Sequence, residues 1–230
     1  MMSGQTGASS ESRSVQVWDG AVRVFHWLLV GLIGFMWWSG EEKGDWLIYH
    51  FYAGYAVCAL ILFRIIWGFA GGTHARFSDF IYGPQAVIAY LKTLPSRSAT
   101  QFAGHNPVGG WSVVLMIVCV VTQVSTGLFA NNEDMAIQGP LAKWVSTDVS
   151  NLLSYIHYIN FNVLLALMAA HIGAVLYYLL YKRENLIWPM FSGDKHLPPV
   201  LAQAQRRMGG WMRALVVLAI AAAGVYLLVR

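Results

Sequence analysis

Residues 149–181 run for 33 positions without one Asp, Glu, Lys or Arg. A helix packed on a soluble core needs a charged face toward water, and this stretch has none. At about 1.5 Å per residue it reaches about 50 Å as a helix, further than the roughly 30 Å hydrocarbon layer of a bilayer. The expectation is a spanning helix that protrudes at its polar beginning, SNLLSYIHYINFN. Three more spans read at 22–40, 48–69 and 111–130, the last again free of charged residues. A fifth, 214–229, is shorter, and Trp211 and Met212 before it extend its apolar stretch. Composition agrees, because 57% of the 230 residues are hydrophobic and 11% charged, against about 25% charged in an ordinary soluble domain. The chain is expected to be an all-α membrane protein, a four-helix transmembrane bundle with a fifth carboxy-terminal membrane helix. It has no room for a large soluble domain.

Lys and Arg in short loops favour the cytoplasmic side, and the four connections alternate. The first holds Glu41, Glu42 and Asp45 with Lys43, and the third holds Glu133, Asp134 and Asp148 with Lys143. The second holds Arg76, Lys92 and Arg97 against Asp79. The fourth holds Lys182, Arg183, Lys195, Arg206, Arg207 and Arg213 against Glu184 and Asp194. The amino terminus is therefore placed in the cytoplasm. Residues 1–17 form a polar tail without the apolar core of a cleavable secretory signal, 18–195 one membrane domain, and 196–230 a linker and the fifth helix. Within the second connection, GPQAVIAYLKTLP reads as an amphipathic surface helix bracketed by Pro84 and Pro95. The basic residues flank hydrophobic segments instead of forming one soluble face, which excludes a nucleic-acid partner. Cys58 and Cys119 stand alone in apolar runs and read as small hydrophobes.

Chemistry enters with the histidines. His26, His50, His157 and His171 lie within or at the ends of spans, where ionisable groups are rare and usually functional. His157 and His171 are 14 residues apart, which puts them on nearly one helix face about 21 Å apart in depth. His26 shares the depth of His171, and His50 that of His157. Two imidazoles from different helices at one depth suit axial coordination of a haem iron on both faces. Zinc fits poorly, since a closed site wants four ligands converging on one point. With no CxxCH in the chain, the two haems are expected to be b type. Ligation on both faces leaves no open position for oxygen, so the cofactors are expected to pass electrons between a quinone in the lipid and a partner outside.

VWDGAVRVFHW at 17–27, FRIIWGFAGGTHARFSDFIYGP at 63–84, GHNPVGGWS at 104–112 and the His157 to His171 spacing together resemble the bacterial four-helix dihaem cytochromes b. That family comprises cytochrome b-561 and the cytochrome b subunits of nickel-iron hydrogenases. The resemblance covers about 17–195. It implies that His26, His50, His157 and His171 ligate two b haems in the bacterial inner membrane. It also implies that the protein exchanges electrons between quinone and a periplasmic redox protein, often a c-type cytochrome or hydrogenase, in a respiratory chain. The segment after Arg213 lies outside the family's four-helix core and reads as an anchor or partner contact.

Around the ligands, Arg23 and Arg64 sit where either could pair with haem propionates, although snorkelling to the interface would also place them there. His74, Arg76, His105 and Asn106 lie in the cytoplasmic connection and are candidates for the polar lip and proton path of a quinone site. His196 reads as solvent-exposed. Trp37, Trp38, Trp46, Tyr49 and Tyr52 read as an aromatic belt at the outer edge. Two other functions compete. One is a self-sufficient oxidoreductase that takes an electron from a small molecule such as superoxide at the periplasmic face. The acidic bias of the outer loops counts against it, because an anion is steered by a basic funnel. The other is a cofactor-free membrane anchor whose histidines only join helices.

Overall fold

The computed structural model describes residues 12–42, 46–98, 100–132, 137–203 and 207–230. In chain order, these residues form β1 (Arg13–Gln16), α1 (Gly20–Glu41), α2 (Trp46–Ala70), α3 (Phe77–Phe80), α4 (Pro84–Leu91) and α5 (Pro107–Leu128). There follow β2 (Asn131–Asn132), β3 (Ile137–Gln138), α6 (Thr147–Leu180), α7 (Trp188–Ser192), β4 (Asp194–Leu197), α8 (Pro199–Ala202) and α9 (Trp211–Val229). Five of the helices, α1, α2, α5, α6 and α9, are long and apolar enough to cross a membrane. Lys43, Asp45, Glu133, Asp134 and Arg206, on which part of the loop-charge argument rests, lie outside the described residues, as do residues 1–11 of the tail.

The spans begin two to four residues earlier than the apolar runs alone suggest, and capping is the main reason. The Asp19 side chain accepts from the Val22 amide, that of Asn106 from Gly109 with Pro107 in the first turn, and that of Ser146 from Val149. Each satisfies a backbone donor that the first helical turn leaves without an intrahelical partner. The expected surface helix is α4, which ends at Leu91 and is followed by turns through Pro95.

Helix α1 packs on α2, α2 on α5, and α5 on α6, while α9 lies against α2 and touches α1. In the middle of the bundle Val57 and Ile61 of α2, Val120 of α5 and Leu164 of α6 form a buried cluster, joined by Leu29, Leu32, Ile33 and Met36 of α1. This apolar layer separates two ends, called proximal (where α1 begins) and distal (where it finishes). At the proximal end β1 pairs antiparallel with β4, Arg13 opposite Leu197 and Gln16 opposite Asp194. β1 thus lies within the stretch that reads as a tail. A four-residue strand whose partner lies some 180 positions away leaves no periodic signal in the sequence.

The fifth helix is integrated into the bundle. Ala214 and Ala221 are buried against Ala21, Val22, Phe25, Leu60, Phe63 and Trp67, and Val225 against Cys58 and Ala59. The buried Asp19 carboxylate, 4% exposed, ties this end together by accepting from the Val22 amide (2.8 Å), Trp67 Nε1 (3.2 Å) and the Gly72 amide (3.3 Å). The chain entering α9 is fastened to the same place, with the Thr73 amide donating to the Arg207 carbonyl at 2.8 Å and the Arg207 amide to Thr73 Oγ1 at 2.9 Å.

Candidate functional site

At the distal end, the second turn of α2 presents His50 and the third turn of α6 presents His157, with ring centres 6.4 Å apart. The His50 Nδ1 lies 3.1 Å from the Met36 carbonyl and 3.2 Å from Ser39 Oγ. The His157 Nδ1 lies 2.9 Å from the Gln123 carbonyl and 3.3 Å from Thr126 Oγ1. A ring nitrogen facing a backbone carbonyl must carry the proton and donate it, so in each ring Nε2 keeps the lone pair a metal takes. Metal–imidazole bonds of about 2.0–2.1 Å on opposite sides of one ion put the ring centres roughly 6 Å apart, which the observed separation matches. Backbone clearance serves the same rings. A Cβ at Gly127 would lie 2.9 Å from His157 Cε1, and one at Gly40 would lie 3.3 Å from His50 Cε1. Both histidines line an apolar cavity of about 290 Å³ walled by residues such as Ile33, Phe51, Val120 and Phe161. Among the described residues lining it, Glu41 is the only carboxylate, and Lys and Arg do not occur.

At the proximal end His26 lies in the second turn of α1 and His171 in the last third of α6. Four buried side-chain nitrogens have no hydrogen-bond partner among the described residues, and all belong to this end: His26 Nδ1, Arg23 Nε, Arg64 Nη1 and His105 Nδ1. Arg64 is 4% exposed, and its guanidinium carbon lies 5.2 Å and 5.8 Å from the ring centres of Phe77 and Phe80. Arg23 donates through Nη1 to the Phe191 carbonyl. The His105 ring is held between Trp18 and Phe80, at 4.8 Å and 4.7 Å between ring centres. Burial, then the charge of Arg64, pushes its pKa down to about 3, with Asp79 opposing and His74 and His171 assisting. Unpaired buried polar groups are costly. This cluster of donors short of acceptors suits a cofactor that brings carboxylates, as haem does through its propionates.

Of the four residues expected near a quinone, the structure brings His74 and His105 together and uses the other two locally. His74 is buried, with Nδ1 2.7 Å from Asp79 Oδ2, and a Cβ at Gly104 would lie 3.0 Å from the same nitrogen. Arg76 donates through Nε to the Gly71 carbonyl at 2.9 Å. Asn106 caps α5, accepting from the Gly109 amide at 2.7 Å, while its Nδ2 reaches the Tyr178 hydroxyl at 3.5 Å. That hydroxyl also bonds the hydroxyl of Tyr90 on α4. His196 is exposed. The five aromatic residues of the expected belt, Trp37, Trp38, Trp46, Tyr49 and Tyr52, are all exposed, and Trp37 also lines the distal cavity. Ser39, Gln123 and Thr126, which hold the distal histidines, are not among the residues expected from the sequence. Gln123 and Thr126 stand out as polar side chains in a span without charge. Gln123 does double service, since its side-chain oxygen accepts from Asn160 Nδ2 at 2.7 Å and so fixes α5 to α6.

A family model described as prokaryotic cytochrome b561 matches residues 17–193. Curated relatives carry the name "Probable Ni/Fe-hydrogenase B-type cytochrome subunit". That of Rhizobium leguminosarum bv. viciae is 25% identical over 218 residues, covering 80% of this chain and 90% of the relative. That of Cupriavidus necator is 25% identical over 224 residues, covering 81% and 90%. The Bradyrhizobium diazoefficiens protein is 23% identical over 218 residues, covering 79% and 86%. No solved structure gives a significant match.

Proposed function

The chain belongs to the prokaryotic cytochrome b561 family, and on that premise we propose that it carries electrons across the bacterial inner membrane between quinone and a periplasmic redox protein. It is a multi-pass membrane cytochrome b. His50 with His157 and His26 with His171 would hold two b haems, and residues 18–195 are the dihaem unit, with 1–17 a cytoplasmic tail and 196–230 a linker and fifth helix. Bound haem supplies a one-electron iron centre. The chain's residues do the rest. The imidazoles of His26, His50, His157 and His171 would hold the iron and leave no position open to oxygen. The backbone carbonyls of Met36 and Gln123 fix the distal ligand tautomers, and the central apolar layer excludes water between the two sites. Arg64 and Arg23 offer donors to propionates at the proximal end. His74, paired with Asp79, would stand beside the place where quinone exchanges electrons, with Arg76, His105 and Asn106 as the other candidates around it.

The observation that carries this reading is the pair His50 and His157, 6.4 Å apart on separate helices, each with Nδ1 fixed on a carbonyl. The relatives' name favours a hydrogenase as the partner, and a c-type cytochrome would meet the same need. Superoxide oxidation has less support, because the described lining of the distal cavity offers Glu41 and no cation to draw in an anion. The test is to reduce purified, haem-loaded protein with dithionite, remove the reductant and add a soluble ubiquinone analogue. Reoxidation of the haem bands within seconds is expected. Bands that stay reduced with quinone in excess would reject the quinone role.

A further inference from the structure

Among the described residues, three flanks of the proximal end are covered and one is not. Between α2 and α5 lies α3, seated so closely that a Cβ at Gly68 would meet the Phe77 ring at 2.1 Å and one at Gly110 the Phe80 carbonyl at 2.1 Å. On the flank of α5 and α6, α4 is fastened by the bond between the Tyr90 and Tyr178 hydroxyls. Beside α1 and α2 stands α9, and a Cβ at Gly20 would lie 2.2 Å from its Trp211 ring. Helices α1 and α6, which carry His26 and His171, do not pack side by side as α1 does with α2 and α5 with α6. A ring contact between them, Trp37 with Phe161 at 6.3 Å, lies at the distal end.

The open flank has a built rim. The chain leaving α6 turns back as α7 onto the start of α1, where Trp27 Nε1 donates to the Met190 carbonyl at 3.0 Å and Arg23 Nη1 to that of Phe191. Gly193 ends α7 at φ +91°, with room for a Cβ only 3.1 Å from the Trp18 carbonyl, a turn that glycine makes without strain. Phe191 stacks on Trp27 with ring centres 4.4 Å apart, and the Trp27 ring meets His26 edge-on at 4.9 Å. Trp27, Phe191 and Trp188 are nonetheless 37%, 53% and 63% exposed. His74 and His105 lie further in, both touching the Trp18 ring, whose amide donates to the Gly193 carbonyl at 3.1 Å.

We propose that Trp27 and Phe191, with Trp188 at the rim, bind the quinone ring, which enters from the bilayer between α1 and α6. A quinone is a flat, largely apolar ring on a long isoprenoid tail. The tail stays in hydrocarbon, so the site must open to lipid, and the ring gains by lying offset on aromatic faces. The flank of α1 and α6 offers both, one ring away from His26. This rests on the dihaem and quinone reading above and gives quinone a place in it, against Trp27 and Phe191, with His74 and Asp79 behind Trp18.

The test uses the purified, haem-loaded full chain in lipid nanodiscs with an azido-ubiquinone analogue. Irradiation and peptide mass spectrometry are expected to find the label on α7 or near Trp27 of α1, suppressed by excess unlabelled analogue. In stopped-flow reoxidation of reduced protein, Phe191→Leu should raise the quinone concentration for half-maximal rate by about fivefold, with wild-type haem content and reduced spectrum. Trp188→Leu, at an exposed ring, should shift it in the same direction and decides if Phe191→Leu does not hold its haem. A suppressible label found elsewhere, or a wild-type quinone dependence in a haem-retaining variant, overturns the proposal and leaves these rings an interfacial anchor. Haem bands that quinone does not reoxidise in the unaltered protein would instead overturn the reading it stands on.

Discussion

The Nδ1 atoms of His50 and His157 each end on a main-chain carbonyl, Met36 at 3.1 Å and Gln123 at 2.9 Å, while their ring centres stay 6.4 Å apart. Two histidines serving only as helix contacts would be satisfied by such bonds one at a time. Both bonds being made through the same ring nitrogen leaves two Nε2 atoms at one depth with lone pairs uncommitted. From this follows the expectation that His157→Ala removes one haem and only one. Reduced-minus-oxidised spectra of His157→Ala and His171→Ala should lose different α-band components, each variant keeping half of the haem. Loss of the same component from both would contradict the pairing.

Clearance around the distal ring gives an independent handle. A Cβ at position 127 would meet His157 Cε1 at 2.9 Å, closer than side-chain atoms tolerate. Gly127→Val should push the imidazole out of place and weaken or abolish the distal haem component, with the proximal one unchanged. A wild-type spectrum from this variant would show that the ring has room to spare.

Asp19 should prove a structural linchpin of the proximal end. Asp19→Ala removes a helix cap worth about 0.5–2 kcal/mol and strips the buried Trp67 N–H of its acceptor, at about 1–3 kcal/mol. Thermal unfolding in detergent should show a clearly lowered midpoint for Asp19→Ala and a smaller loss for Asp19→Asn, which keeps an oxygen in place. Equal midpoints for Asp19→Ala and wild type would contradict the role.

In the chain without haem, where no propionate carboxylate faces the ring, acid should weaken the fold through His105. Its pKa is pushed down to about 3 by burial and by Arg64, against about 6.5 in the unfolded chain. Above pH 6.5 the ring is neutral in both states and contributes nothing. As pH falls from about 6.5 toward 3 the unfolded chain takes up a proton that the native ring refuses, so stability is lost over that window. His105→Phe should flatten this part of the stability–pH curve, and an unaltered slope would contradict the assignment.

The spans and the four histidines were legible because each rests on one local property, an uncharged run or a fixed number of residues along one helix. Their ends were less so, since a cap such as Asp19, or Asn106 with Pro107, sits in a polar stretch that hydropathy discards. The anchors of the distal histidines were only hinted at by the polarity of Gln123 and Thr126, because these act on His157 across a helix interface whose register the sequence does not state. The packing of His105, a quinone-site candidate by its place in a loop, was hidden as well, since the fold brings Trp18 and Phe80 over it from segments 87 and 25 positions away. The docking of α9 was equally hidden. Ala214, Ala221 and Val225 form a packing stripe only once Cys58, Ala59 and Leu60 of α2 are placed opposite.

The central claim is that this chain holds two haems between histidine pairs, and haem quantitation tests it most directly. Pyridine haemochrome analysis of purified protein expressed with ample haem, together with the reduced-minus-oxidised spectrum, should give two noncovalent b haems per chain. A chain that purifies folded and without haem would contradict the account and leave His26, His50, His157 and His171 as contacts between helices.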